Sequence, residues 1–250
     1  MKILNLLPII NATFWTEDMS EYLSKYLQQD TVLDTWCLDF GPGSIEGEFD
    51  EALAASSVVL KCIAAEKAGY DAIFVNCFAE PGVRAAREIV SIPVFGGFEP
   101  VVHYALGVGD KIGIVTVLPE VVPMISGMIT RTGLSHRFTR LRYVSVPVLD
   151  LGDDKKVLVN ALVSESEKAI VDDGADTIVL GCTGMNDLRE NVERALLDMG
   201  YKVPVMEAGQ SAVVMLETFV RMGLYHSRAT YMKPRDKIRT WWGGEEKKNI

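Results

Sequence analysis

Short apolar runs alternate along the chain with longer stretches in which apolar residues recur every three or four positions. The short runs are rich in β-branched residues, as in AIFVNC (72–77) and TIVLGC (177–182), which is typical of buried strands. Eight strands are predicted, at 2–7, 31–38, 72–77, 93–97, 111–118, 143–149, 177–182 and 203–207. Eight helices are predicted between and after them, at 17–29, 50–68, 81–90, 100–108, 119–132, 154–173, 187–199 and 209–222.

This alternation of strands and helices predicts an α/β fold with mostly parallel sheets, because parallel neighbouring strands need a crossover that a helix supplies. The strands are almost continuously apolar, which indicates that helices cover both faces of each sheet.

An internal repeat predicts two similar halves. The segment AGYDAIFVNC (68–77) aligns without gaps onto DGADTIVLGC (173–182), an offset of 105 residues. Two further pairs, KIL (2–4) with KIG (111–113) and IPVFG (92–96) with VPVME (203–207), keep the same order at offsets of 109 and 111. We therefore expect two pseudo-symmetric α/β domains. Their expected ranges are 1–100 and 101–207, with a helix at 208–225 packing back on the first domain and a tail at 226–250.

Charge and composition narrow the classes of function. A net charge of −9 argues against nucleic-acid binding, and no apolar run is long enough for a transmembrane helix. The opening MKILNLLPII is interpreted as a strand, since it lacks a signal-peptide cleavage site. The four cysteines have no paired metal-site spacing, and no nucleotide-binding fingerprint is present. We expect a cytoplasmic protein without metal or cofactor that acts on a small molecule.

The aligned strands of the two halves both end in a cysteine, Cys77 and Cys182. Ligands of open parallel sheets bind outside the carboxyl ends of the strands. If the two halves face each other, these thiols lie on opposite sides of one cleft. The alternative is that both cysteines are inert and only fill space at the strand ends.

Two thiols on opposite faces of one carbon could invert it, one removing a proton while the other delivers one. Such a pair needs one thiolate, and a helix N-terminus can lower the pKa of a cysteine. We expect Pro81 in the first turn of the helix after Cys77, and Asn186 or Asp187 as the cap of the helix after Cys182. Both helices would then favour thiolates.

Four motifs resemble those of a known family. They are GPGSIEGEFDEAL (41–53), NCFAEPGVRAARE (76–88), VLGCTGM (179–185) and TYMKPRDK (230–237). Together they are similar to the hydantoin racemase branch of the aspartate/glutamate racemase superfamily, which includes allantoin racemases. The resemblance implies two pseudo-symmetric α/β domains, an active site between them, no cofactor, and Cys77 and Cys182 as the acid–base pair. It also implies that the substrate is contacted or oriented by Ser44, Ile45, Phe78, Thr116, Gly181, Thr183 and Gly184.

One segment departs from the family pattern. Relatives usually carry Asn-Pro-Asn-Ser/Thr after the first strand, whereas this chain has LLPIIN, with Leu7 and Ile9 in place of the two asparagines. Polar partners dominate discrimination between similar substrates, so this change predicts a different substrate preference. Asn11 is the candidate replacement.

The sequence therefore predicts a cofactor-independent racemase or epimerase, with a hydantoin-type cyclic ureide, such as a 5-substituted hydantoin or allantoin, as the leading substrate. Another superfamily reaction, amino-acid racemisation or maleate-type cis–trans isomerisation, stays open, as does a non-catalytic metabolite-binding protein. A homo-oligomer is expected, with Trp241 and Trp242 covering a neighbouring surface or subunit. His226 is expected to be superficial.

Overall fold

The computed structural model describes residues 1–12, 16–240 and 246–247, and it contains two parallel four-stranded sheets. The first sheet comprises β1 (Lys2–Leu7), β2 (Val32–Cys37), β3 (Ala72–Val75) and β4 (Val94–Phe95). The second comprises β5 (Ile112–Thr116), β6 (Arg142–Tyr143), β7 (Thr177–Leu180) and β8 (Val205–Glu207). The helices are α1 (Thr16–Ser24), α2 (Glu48–Lys67), α3 (Val83–Ile89), α4 (Phe98–Val108), α5 (Val122–Thr132), α6 (Lys155–Val171), α7 (Arg189–Asp198) and α8 (Ala208–Arg221).

The two sheets have the same topology. Their strand orders are β2-β1-β3-β4 and β6-β5-β7-β8, so the second order repeats the first with each strand replaced by its equivalent. Every neighbouring pair within them is parallel. The predicted α/β fold class with two pseudo-symmetric halves is confirmed.

Details of the repeated segment also match. Gly69 and Gly174 both have a left-handed backbone, with φ of 80° and 76°, where the chain turns from a helix into β3 or β7. Asp71 Oδ2 accepts a hydrogen bond from the Lys2 N–H, and Asp176 Oδ1 accepts one from the Lys111 N–H. Each aspartate thus ties the start of its strand to the start of the neighbouring strand.

Helices cover both faces of the first sheet because its strands are apolar on both sides. Along β1, Leu4 and Leu6 pack in the cluster that contains α2, whereas Ile3 packs in the cluster formed with α1 and α8. Successive side chains of a strand point to opposite faces, which explains this division. Helix α8 contributes Ala212, Val213 and Leu216 to the second cluster.

The predicted strand at 143–149 is mostly wrong. Only Arg142–Tyr143 forms β6, and a 3₁₀ turn follows at Val148–Asp150. Ser145 has a φ of 58°, which lies outside the extended region, and Pro147 has no N–H to donate to a neighbouring strand. Val148, at the start of this turn, is half-buried and lines the cavity described below.

The end of the described chain contains a short antiparallel pair, β9 (Arg239–Thr240) and β10 (Glu246–Lys247). Trp241 and Trp242, for which a covering role is predicted, lie outside the described residues. In the ranges that the structure describes, no helix is both long enough and apolar enough to cross a membrane.

Candidate functional site

Cys77 and Cys182 line the same cavity, which has a volume of about 70 Å³ and lies at the carboxyl ends of the two sheets. Each cysteine lies two residues beyond one of the two central strands of its sheet, β3 or β7. The two cysteine-bearing segments also touch, because the Thr183 hydroxyl donates a hydrogen bond of 3.2 Å to the Asn76 carbonyl oxygen. The two thiols expected at one cleft therefore line one cavity, and their position on opposite faces of a substrate stays a prediction.

Most of the other predicted site residues lie at this cavity. Its lining includes Ile45, Phe78, Thr116, Gly181, Thr183 and Gly184. Ser44 is the exception, since it is half-buried and does not line the cavity. Its neighbour Ile45 is only 8% exposed and occupies the cavity wall in its place. The roles predicted for Ser44 and for the residues in the lining stay predictions.

The rest of the wall is mainly apolar. Leu7 and Ile9, at the two positions where the resemblance implies asparagines, both line the cavity, with Pro8 between them. Asn11 is exposed and is not part of the lining, so it does not replace their amides. The sequence pattern did not predict the further apolar lining residues, which are Met19, Ala79, Val117, Val121, Met124, Ile125 and Val148. The signal that could have found several of them was their position just after β5, at the carboxyl end of a central strand.

The Gly181 backbone fixes Cys182. The Thr116 hydroxyl donates to the Gly181 carbonyl oxygen at 3.1 Å, and both residues are buried. A Cβ atom at Gly181 would lie 2.8 Å from Ile114 Cγ2, so a larger residue requires the Ile114 side chain to move. The Gly184 N–H then donates to the Cys182 Sγ at 3.4 Å, which orients the thiol.

The Cys77 segment is held by the stretch FGGFE (95–99), which runs from the end of β4 into α4. The Gly97 N–H donates to the Cys77 carbonyl oxygen at 3.0 Å. Glu80, which has a φ of 60°, accepts a hydrogen bond of 2.8 Å from the Glu99 N–H in the first turn of α4. The Glu80 side chain packs directly against Gly96, and a Cβ atom at position 96 would lie 2.3 Å from Glu80 Cγ. Residues 77–80 are thus anchored at both ends.

Burial raises the pKa of the Cys77 thiol to about 12, with repulsion from Cys182 and Glu51 acting in the same direction. The backbone N–H groups of Ala79 and Glu80 oppose this change only in part. Burial raises the pKa of the Cys182 thiol to about 11, opposed by the Gly184 N–H and assisted by the charge of Glu46. Both cysteines are half-buried, and the cavity that they line is mainly apolar. Such surroundings destabilise the charged thiolate relative to the neutral thiol.

The expectation that helix N-termini lower these pKa values is therefore wrong. Helix α3 begins at Val83, with Gly82 as its N-cap, so Pro81 precedes the helix. Helix α7 begins at Arg189 with Leu188 as its N-cap, so neither Asn186 nor Asp187 caps it. The influence of a helix end falls off within about one turn, so neither helix offsets the burial of the thiols.

A hydrogen bond connects the two halves across the cavity. Glu46 Oε1 accepts from the Val148 N–H at 2.8 Å, and Ile45 and Val148 both line the cavity. Glu46 therefore joins the loop before α2 to the 3₁₀ turn that replaces the predicted strand. No cluster of three or more His, Cys, Asp or Glu side chains within the described ranges could hold a metal ion.

Comparison with known proteins identifies the family. The model of the Asp/Glu/hydantoin racemase family matches residues 11–216, which is most of the chain. The chain belongs to this family. Hydantoin racemase from Rhizobium meliloti is 34% identical over 197 residues, which cover 78% of this chain and 80% of that relative.

Solved structures agree with this membership in the Asp/Glu/hydantoin racemase family. Allantoin racemase from Klebsiella pneumoniae is 30% identical, with a TM-score of 0.89 and coverage of 97% of each chain. Allantoin racemase from Pseudomonas fluorescens is 31% identical, with a TM-score of 0.87 over 95% of this chain and 98% of that one. The protein is accordingly an isomerase of the racemase class.

Proposed function

We propose that this racemase inverts a carbon acid next to a carbonyl group by two-thiol acid–base catalysis, without a cofactor. One observation carries the proposal: Cys77 and Cys182 are the only titratable side chains among the described residues that line the cavity. All other lining residues are apolar, glycine, threonine or asparagine, none of which exchanges a proton with carbon at neutral pH.

In the proposed reaction, the thiolate of one cysteine removes the proton from the stereogenic carbon, and the electron pair moves into the adjacent carbonyl group as an enolate. The thiol of the other cysteine then protonates the carbon from the opposite face. Because the pKa values of both thiols are raised, the thiolate is a minor species of the free enzyme at neutral pH. The rate of proton removal is therefore expected to rise with pH through the neutral range.

The wall of the cavity favours a cyclic ureide with an apolar substituent, that is, a 5-substituted hydantoin with an alkyl or aryl group. Leu7, Ile9 and Met124 offer only apolar contacts, whereas allantoin carries a polar ureido group at the same position. A free amino acid or a dicarboxylate would bring a carboxylate into a lining with no Lys, Arg or His among the described residues. These observations support the hydantoin over the other reactions of the superfamily.

The first prediction tests this chemistry by NMR in D₂O. Loss of the C5 proton would be followed for each enantiomer of 5-isobutylhydantoin, 5-benzylhydantoin, allantoin and leucine, with optical rotation recorded in parallel. The alkyl and aryl hydantoins should exchange and racemise fastest. Cys77→Ser and Cys182→Ser should each lower kcat/KM for racemisation by about 10²- to 10⁴-fold, since each removes one of the two acid–base groups that inversion requires.

Cys37→Ser is the control, because this half-buried cysteine at the end of β2 does not line the cavity. It should leave the exchange rate unchanged. Binding of hydantoins without exchange would replace the proposal with a metabolite-binding protein. Racemisation at an undiminished rate in both Cys77→Ser and Cys182→Ser would show that a different base acts.

A further inference from the structure

Asn76 carries an unexplained polar atom beside the cavity. The residue lines the cavity, directly precedes Cys77 and is only 4% exposed. Its Oδ1 atom is buried and has no hydrogen-bond partner among the described residues. A buried acceptor without a partner costs about 1–3 kcal/mol, so its retention beside a ligand cavity requires a reason.

Two hydrogen bonds connect this amide to its neighbours. Asn76 Nδ2 donates to Asn5 Oδ1 at 2.9 Å, and Asn5 Nδ2 donates to Thr35 Oγ1 at 3.0 Å. Asn5 is fully buried in β1, Thr35 lies in β2, and Asn76 directly follows β3. These two hydrogen bonds therefore connect three neighbouring strands of the first sheet, and Asn76 Oδ1 is left without a donor among the described residues. The Asn76 carbonyl oxygen is separately occupied by the Thr183 hydroxyl.

Asn186 offers a useful contrast. Its Oδ1 atom is also buried without a described partner, but Asn186 does not line the cavity, and its Nδ2 contacts Met19 Sδ at 2.8 Å. Of these two unpartnered amide oxygens, only that of Asn76 belongs to a residue that lines the cavity.

We infer that Asn76 Oδ1 is a substrate-binding acceptor that takes a hydrogen bond from a ring N–H of the cyclic ureide. The inference rests on the proposed function and adds a residue to it. A hydantoin ring has two N–H donors, one of them on the nitrogen attached to the carbon that Cys77 must reach. Asn76 adjoins Cys77 in the chain, so the same short segment can hold the ring nitrogen and approach the neighbouring carbon. The bond selects ureides over molecules without an N–H at this position.

The second prediction compares 5-isobutylhydantoin with its N1-methyl and N3-methyl derivatives, by exchange of the C5 proton in D₂O. The wild type should lose about 10- to 100-fold in kcat/KM on at least one methylated derivative, because the acceptor is then left unpaired. Asn76→Leu keeps the bulk of the side chain but removes the acceptor, so its kcat/KM on the parent hydantoin should be lower than that of the wild type by a similar factor. The same variant should discriminate less than threefold between the parent and that derivative.

Asn5→Leu/Asn76→Leu is the second variant in case Asn76→Leu does not fold, because replacing both partners of a buried hydrogen bond by apolar groups is often nearly neutral. It should show the same loss of discrimination. Asn5→Ala is the matched control, since it removes the Asn5–Asn76 bond but keeps Asn76 Oδ1, and it should still discriminate against the methylated ring.

If the penalty for N-methylation persists in Asn76→Leu or the double variant, the inference is wrong and Asn76 has a purely structural role. That outcome leaves the proposed function standing. A wild type that exchanges none of the three hydantoins contradicts the proposed function instead.

Discussion

At the scale of single residues, the cavity combines two buried thiols with nearby carboxylates that do not enter it. Glu46 raises the pKa of Cys182, and Glu51 raises the pKa of Cys77, in each case in addition to the larger effect of burial. The carboxylate of Glu46 also accepts the hydrogen bond from Val148 that spans the two halves. The charge of Glu46 therefore affects the pKa of Cys182, whereas its hydrogen bond connects the two halves of the protein.

The third prediction separates them. Glu46→Gln keeps an acceptor oxygen for the Val148 N–H but removes the negative charge, so the pKa of Cys182 should fall. The rise of kcat/KM with pH should then move to lower pH by on the order of half a unit, measured as C5-proton exchange from pH 6 to 10. Glu46→Ala should instead raise KM, because Ile45 and Val148 lose their connection across the cavity.

Glu48→Gln is the matched control for charge, since Glu48 is exposed at the start of α2 and carries the same change. Its pH profile should coincide with that of the wild type. If Glu46→Gln behaves in the same way as this control, Glu46 acts only through its hydrogen bond.

At the scale of elements, the active segments depend on close contacts between backbones. Gly82 is the N-cap of α3, with a φ of 70°, and it lies just beyond the Cys77 segment. A Cβ atom there would be 2.7 Å from the Ala55 carbonyl oxygen and 3.2 Å from its Cα, both in the backbone of α2. The distance between α2 and α3 is therefore set by the absence of a side chain at this position.

The fourth prediction is that Gly82→Ala lowers the free energy of unfolding by about 1–3 kcal/mol, because it adds both a strained φ and a clash with backbone atoms. Urea denaturation would measure this change. Gly127→Ala is the matched control, since Gly127 lies within α5 and a Cβ there meets no atom within 4 Å. It should stabilise the protein by about 0.5–1 kcal/mol, so equal effects of the two changes would contradict the explanation.

At the scale of the whole molecule, the segment after α8 returns to the first sheet through His226. The Val94 N–H of β4 donates to His226 Nε2 at 2.9 Å, and the ring packs at 5.5 Å from that of Phe95. The expectation that His226 is superficial is wrong. Burial lowers its pKa from 6.5 to about 4, with Arg87 and Arg228 acting in the same direction and Glu99 opposing them.

The fifth prediction follows from this lowered pKa. Between pH 6.5 and about 4, the unfolded chain binds a proton at His226 and the folded protein does not, so this group's contribution to stability is lost as the pH falls. His226→Gln, which offers an amide oxygen to the Val94 N–H, should make the urea midpoint fall less steeply from pH 7 to pH 4.5. An unchanged slope would mean that other groups dominate the acid sensitivity. His136→Gln, an exposed histidine, is the control.

The sequence by itself determined most of the elements and the pair of thiols. The predicted strands and helices agree with the observed ones within three residues at each end, apart from the segment at 143–149 and the helix predicted at 17–29, which ends at Ser24. The agreement arises because apolar periodicity follows directly from which face of an element is buried. The repeat located Cys77 and Cys182 because equivalent segments of a duplicated fold occupy equivalent positions. The domain boundaries near residues 100 and 207, the homo-oligomer and the cytoplasmic location stay predictions.

Only the tertiary structure decided the environment of the thiols. Their pKa values depend on how many protein atoms replace water around each sulfur, and that number is set by segments distant in the chain, such as the loop with Ile45 and the turn with Val148. The cavity position of Asn76 and the exclusion of Ser44 have the same origin. Local pattern decides which face of an element is buried, whereas the packing of one half against the other decides which side chains reach the cavity between them.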